Sequence, residues 1–137
     1  MAVAFSGEGA GMGQRFVIPG RLPGYNDLHQ QWQKSRRIKQ EAMEWVMWSA
    51  KAARIKPIQG RCQVDLVCYE PNARRDPDNV ISGARKVILD ALQRLGVLAG
   101  DGRKYVSKAI NDRVEVDRNN PRVEVEIKEI EDGQGNA

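Results

Sequence analysis

The chain has 137 residues, of which 41% are hydrophobic, and carries a formal net charge of +4 with a pI near 9.3. This length suits one domain with a real core and is too short for two independent domains. Two cysteines, a single histidine and no apolar run of roughly 18 residues exclude a disulfide framework, a structural zinc site and a membrane-spanning helix.

The positive charge is concentrated in the first half of the chain. Residues 1–60 hold nine Lys/Arg and four Asp/Glu, whereas residues 61–137 hold thirteen and fourteen. The basic residues are densest at Lys34, Arg36, Arg37 and Lys39. Such a cluster favours a polyanionic partner such as nucleic acid, with a merely solvated helix face as the alternative.

The first half of the chain predicts a strand, a loop and a helix. Residues 1–14 are Gly-rich and small, which is typical of a flexible leader. "RFVIPG" (15–20) predicts a short strand. Residues 21–37, which include Tyr25 and Trp32, predict a surface loop that meets a ligand, with a plain linker as the alternative. Residues 36–54 predict an amphipathic helix whose apolar stripe consists of Ile38, Ala42, Trp45, Val46, Ser49, Ala52 and Ala53.

The second half predicts three strands and one helix. A half-buried strand is expected over 61–71, with Cys62 and Cys68 as reduced thiols on its core face, and a helix over about 79–95 that ends at Gly96. Long and regular strands are expected over 105–117 and 122–130, followed by a flexible tail at 131–137. The order β-α-β-α-β-β predicts a single small α/β (α+β) domain, a mixed β-sheet of about four strands with two main helices.

Two aspartates flank a proline where the second helix should begin. In "RRDPDN" (74–79), a helix cap needs only one side-chain oxygen, which Asp78 or Asn79 can supply, so Asp76 calls for another explanation. Like charges this close favour a cation nearby, either the preceding arginines or a divalent ion such as Mg²⁺. Asp101, in the loop "AGDGRK", is a candidate third ligand if the chain returns to the same end of the helix.

Lys86 follows Asn79 by two helical turns and is expected on the same helix face. In that position it would contact a phosphate bound at the acids. The alternative is an ordinary i,i+4 surface ion pair with Asp90.

The motif "DPDN", the downstream lysine and "LDAL", and the final strand "PRVEVEI" resemble the RusA family of Holliday junction resolvases of bacteria, phages and prophages. The resemblance covers residues 15–130. It implies Asp76, Asp78 and Asp101 as Mg²⁺ ligands, with Mn²⁺ as an alternative metal, and Lys86 as a catalytic lysine. The chain departs from the family in two ways: the lysine stands about four residues farther from the aspartates, and Gly100 precedes Asp101 where the family often has a second acid.

The resemblance further implies a homodimeric, Mg²⁺-dependent endonuclease that nicks two strands of a four-way DNA junction symmetrically during recombination and repair. The bacterial cytoplasm is its expected location, and no membrane or small-molecule substrate is expected. Candidate DNA contacts are the basic helix, the preceding loop and the arginine pair: Asn26, Lys34, Arg36, Arg37, Lys39, Arg74 and Arg75. Two other functions stay open, a nuclease for flaps or other branched DNA and a junction-binding module that does not cleave.

Overall fold

A computed structural model of the chain describes residues 13–107 and 110–130. The elements follow in the order β1 (Gln14–Pro19), a short 3₁₀ helix (Asn26–His29), α1 (Trp32–Ala52), β2 (Cys62–Glu70), α2 (Pro77–Arg94), β3 (Arg113–Val116) and β4 (Arg122–Glu129). The predicted α+β domain, with a four-stranded mixed sheet and two main helices, is therefore confirmed. The tail at 131–137 and most of the leader lie outside the described residues, although Gln14 already belongs to β1.

The sheet has the strand order β1-β4-β2-β3. The last strand, β4, lies between β1 and β2 and is antiparallel to both, whereas β3 is parallel to β2 at the other edge. Val125 of β4 pairs with Phe16 on one side and Leu66 on the other, so apolar side chains form continuous rows across the sheet. Both helices pack on the face that these rows cover.

Helix α1 differs from its prediction in start and orientation. It begins at Trp32, four residues earlier than expected, and its buried residues are Ala42, Met43, Val46 and Ala50. Trp45 is turned outward and half-exposed, and its indole Nε1 donates a hydrogen bond to the carbonyl of Pro19. The predicted stripe was wrong at Trp45, Ala52 and Ala53, which are exposed because α1 packs on α2 and β1 through the residues at 42, 43, 46 and 50.

Helix α2 ends as the sequence predicts and begins two residues earlier. Gly96 has φ +85°, and the amide of Val97 donates to the carbonyl of Leu92, which is the Schellman arrangement. At the other end Pro77 occupies the first helical turn and Asp76 is the N-cap. The prediction that Asp78 or Asn79 caps the helix was wrong.

The predicted long strand 105–117 is also wrong, because β3 covers only its last part and an isolated bridge joins Val106 to Cys62. Between the bridge and β3, side chains form hydrogen bonds with the backbone groups at the edge of β2. Arg85 donates to the carbonyl of Val64 at 2.9 Å, and a carboxylate oxygen of Asp112 accepts from the amide of Leu66 at 3.0 Å. Arg85 and Asp112 also form an ion pair of 3.1 Å.

Strand β2 is buried on both faces rather than on one. Cys62 and Cys68 are free, buried thiols on the core side, as predicted, while Asp65 and Val67 are buried on the opposite side. That side also carries ion pairs of the neighbouring strand β4, including Glu126 with Arg15. Within the described residues, no helix combines the length and apolarity needed to cross a membrane.

Candidate metal and nucleic-acid site

The two aspartates of the "DPDN" turn lie at the N-terminus of α2 and have different roles there. A carboxylate oxygen of Asp76 accepts a hydrogen bond from the amide of Asn79 at 3.1 Å. Asp78 lies in the first turn and makes no side-chain hydrogen bond or ion pair with any residue that the structure describes. Both side chains are exposed. The helix cap thus explains Asp76, and the positive end of the helix dipole favours both carboxylates.

A loop from the N-terminal half of the chain is fixed on the start of α2. The amide of Tyr25 donates to the carbonyl of Asn79 at 2.8 Å, and the amide of Asn26 donates to the Asn79 side-chain oxygen, also at 2.8 Å. Gly24 and Gly83 permit this approach, because a Cβ on Gly83 would lie 2.2 Å from the carbonyl oxygen of Pro23. Asn79 therefore positions the loop over the acidic turn.

The loop and the helix start enclose an open depression of about 550 Å³, lined by Tyr25, Asn26, Asp76, Asp78, Asn79 and Ser82. Its lining combines two carboxylates with amide and hydroxyl groups, and no lysine or arginine is among them. Oxygen donors of this kind suit a hard divalent cation, and Mg²⁺ is commonly held by one or two carboxylates together with water and substrate phosphate. Asp76 and Asp78, predicted as metal ligands, and Asn26, predicted separately as a DNA contact, line the same depression.

An ion-pair network holds Arg75, the residue that precedes Asp76. Arg75 donates two hydrogen bonds of 2.9 Å to the buried carboxylate of Glu70 and a third, at 3.1 Å, to the carbonyl of Leu22. Arg21 binds the same carboxylate at 2.7 Å. Burial by itself would raise the pKa of Glu70, but the hydrogen bonds from Arg75 and Arg21 outweigh it and lower that pKa.

The position of Arg75 bears on its predicted role in DNA binding. Its guanidinium group is directed inward, toward Glu70 and the loop carbonyl, so it stabilises the loop rather than presenting a charge at the surface. Arg74 beside it is exposed. Of this pair, Arg74 is therefore the better placed to contact a phosphate.

Lys86 lies away from the acidic turn. It follows Asp78 by eight positions, which is about 12 Å along the helix axis, and it does not line the depression. Its ammonium group lies 3.5 Å from Asp90, to which Lys39 of α1 is bound at 2.6 Å. The surface ion pair, one of the two alternatives for Lys86, is present, and Lys39 links the two helices.

Asp101 is located beyond the opposite end of α2. The amide of Leu98 donates to the carbonyl of Leu92 in the last turns of α2, and the amide of Cys62, at the start of β2, donates to the carbonyl of Tyr105. The loop between Leu98 and Tyr105 is therefore held at the C-terminal end of α2. Since α2 has 18 residues and is about 27 Å long, Asp101 of the same chain is remote from Asp76. Over residues 13–107 and 110–130, no three Asp, Glu, His or Cys side chains are grouped as metal ligands.

The remaining predicted DNA contacts lie on the first turns of α1. Lys34, Arg36 and Arg37 are all exposed, and the guanidinium of Arg36 lies over the ring of Trp32, 5.2 Å from its centroid. The sequence predicts a loop at Trp32, and the place of this residue beside the cations follows from the earlier start of α1. The spacing of Trp32 and Arg36, four residues apart, is a sequence signal that could have predicted their contact on a helix.

Three structural residues of the site region escaped prediction: Glu70, Asn79 in its role as the loop anchor, and Gly83. Each acts through a contact with a residue distant in the sequence, which local patterns do not reveal. Comparison of the chain with models of protein families gave no match, and comparison with curated proteins gave none either. The resemblance to the RusA family therefore remains a prediction from the sequence.

Proposed function

We propose that the protein is a Mg²⁺-dependent, structure-selective endodeoxyribonuclease that acts on four-way DNA junctions, as its sequence resemblance implies. The observation that carries this proposal is the open depression in which the exposed carboxylates of Asp76 and Asp78 meet Asn26 of the loop. It is large enough to admit a phosphate group, and its donors suit Mg²⁺ or Mn²⁺.

Asp76 and Asp78 are the residues that would hold the metal. Asp76 uses one carboxylate oxygen for the helix cap, so its other oxygen and both oxygens of Asp78 remain for coordination. Bound Mg²⁺ supplies Lewis-acid chemistry, namely activation of water and neutralisation of negative charge on the phosphate. Asn26 and Ser82 can bind phosphate oxygens and orient the scissile group, because they line the same depression.

DNA outside the depression would be bound by the exposed cations of α1 and by Arg74. These side chains contact phosphates without reading sequence, so the affinity should fall steeply with salt. Lys39 contributes less, because its charge is paired with Asp90.

Symmetric nicking of a four-way junction requires two sites related by a two-fold axis, and hence a homodimer. The apolar face of β4 lies in the chain's own core, so it is not free for an interface. The C-terminal half of α1 is more suitable: Trp48 is 72% exposed beside Met47 and Ala52, around a groove of about 590 Å³. Replacing Trp48 by arginine should shift the protein toward monomer in sedimentation velocity, and an unchanged dimer would exclude this face.

A second function, junction binding without cleavage, is favoured by the distance of Lys86 and Asp101 from the depression. Because Asp101 of the same chain is remote from the depression, Asp101 could bind a metal there only if a second copy of the chain supplied it. Mixing Asp76→Asn and Asp101→Asn proteins tests that arrangement, because restored cleavage in the mixture would require the two residues to act across a dimer.

The deciding experiment compares a labelled four-way junction with linear duplex in Mg²⁺ and in EDTA. The expected result is a pair of symmetric nicks in the junction only, abolished by EDTA and by Asp76→Asn. Asparagine caps helices as well as aspartate does, so this variant should keep its fold and its DNA affinity. Tight junction binding by the unmutated protein without cleavage in Mg²⁺ or Mn²⁺ would favour the binding module, and cleavage of flaps in preference to junctions would favour the flap nuclease.

A further inference from the structure

Aromatic side chains lead from the acidic depression to the basic surface of α1. Tyr25 lines the depression, and its ring stacks on that of His29, with centroids 3.9 Å apart and an interplanar angle of 23°. Trp32 follows three residues later, so its Cα lies within about 11 Å of that of His29. The three rings thus lie along one short stretch that begins at the depression.

Trp32 places a large aromatic ring in solvent at the start of α1. It is 69% exposed, and it borders a groove of about 470 Å³ together with Gln33, Arg36, Arg37, Gln40 and Glu41. The guanidinium of Arg36 lies over one face of the ring, which orients the indole through a cation–π contact.

The charges around this ring indicate what it binds. Lys34, Arg36 and Arg37 are exposed within five residues of Trp32, and Glu41 is the one acid that lines the groove. A polyanion whose subunits carry flat aromatic rings complements both features, and that description fits a single-stranded nucleic acid. In duplex DNA the flat faces of the bases are covered by their neighbours, so an exposed indole gains little from it.

We propose that Trp32, oriented by Arg36, is a stacking platform for an unpaired base of the DNA strand that enters the Asp76/Asp78 depression. The inference rests on the proposed function for its location and deepens it by naming what the protein would bind at the four-way junction: a nucleotide left unpaired at the branch point. The span from His29 to Trp32, at most about 11 Å, is no longer than about three stacked nucleotides.

The test measures DNA binding in EDTA, which removes divalent metal ions and so prevents cleavage during the measurement. Fluorescence anisotropy gives the Kd for a labelled oligothymidylate and for a strand of equal length and charge that lacks bases. The unmutated protein should bind the strand with bases about tenfold more tightly, which is the size of one base–aromatic stack. Trp32→Ala should remove this preference, and Trp32→Phe should retain part of it.

Lys34→Gln is the matched control, because it removes a neighbouring charge and leaves the ring. It should weaken the binding of both strands by the same factor and lower their salt dependence. Equal affinity of the unmutated protein for the two strands would overturn the proposal. The proposal would also be overturned if Trp32→Ala retained the preference for the strand with bases, or if it lowered the affinity for both strands by the same factor, as Lys34→Gln does.

The failure of this inference and of the proposed function can be told apart. If the protein prefers strands with bases through Trp32 but cleaves no DNA, the stacking platform stands and the nuclease does not. If it nicks four-way junctions in Mg²⁺ while Trp32→Ala leaves all binding unchanged, the nuclease stands and the platform is wrong.

Discussion

Replacing Gly83 by alanine should destabilise the protein, although the same change usually stabilises a helix. Gly83 lies inside α2, where alanine is favoured over glycine by about 1 kcal/mol. Here, however, the added methyl group would meet the backbone of the loop at 2.2 Å from the Pro23 oxygen and 2.4 Å from the Gly24 carbonyl carbon. Since backbone atoms cannot rotate away, the loop must move by roughly 1 Å to restore ordinary contact.

The size of the effect follows from the contacts that this shift disturbs. Overpacking costs about 1–3 kcal/mol. The hydrogen bonds that Asn79 accepts from Tyr25 and Asn26 contribute about 1 kcal/mol each and would be strained. After the gain in helix propensity is subtracted, Gly83→Ala should lower the free energy of unfolding by about 2 kcal/mol.

Urea denaturation followed by circular dichroism measures this difference, with Gly102→Ala as the control. At Gly102 an added methyl group meets no atom within 4 Å, so that variant should be unchanged or more stable by up to about 1 kcal/mol. A Gly83→Ala protein at least as stable as the unmutated one would refute the reasoning, because it would mean that the loop does not rest on α2 at this residue.

Three further results are expected. Glu70→Gln should cost about 2 kcal/mol at pH 7, since it leaves Arg75 without its buried partner. Because the pKa of Glu70 is lowered from 4.5 in the folded state, its ionised form stabilises the fold above that pH. This contribution is lost as the pH falls through the pKa of the folded state. The difference in free energy of unfolding between Glu70→Gln and the unmutated protein, measured by urea denaturation, should therefore disappear in acid, and a difference independent of pH would contradict the role of ionised Glu70. Burial raises the pKa of Cys62 to about 11 and of Cys68 to about 12, so both thiols should resist iodoacetamide at pH 8 until the protein is unfolded, and rapid native labelling of either would contradict its burial. Asp76→Ala should lower the thermal midpoint, because loss of the helix cap costs about 1 kcal/mol, whereas Asp76→Asn should leave the midpoint unchanged. Equal midpoints of the alanine variant and the unmutated protein would exclude the cap.

The elements themselves could be predicted because their signals are local. Alternation over 62–70 and 122–129 places Leu66 and Val125 in the core whatever their partners are. Gly96 stops α2 because its left-handed conformation depends on its own backbone, and Pro77 is compatible with the first turn for the same reason. The sequence by itself thus determined the α+β class, the order of the elements and the position of the acidic turn.

The tertiary structure alone decided which residues share the site. Asp76 and Asp78 meet Asn26 because Asn79 and Gly83 hold a distant loop against α2, whereas the direction of the chain after Gly96 takes Asp101 to the other end of the helix. The face that α1 buries was decided by its packing against α2 and β1, and Trp32 at its start is left in solvent. Long-range contacts of this kind depend on the packing of whole elements, which no periodicity within one segment encodes.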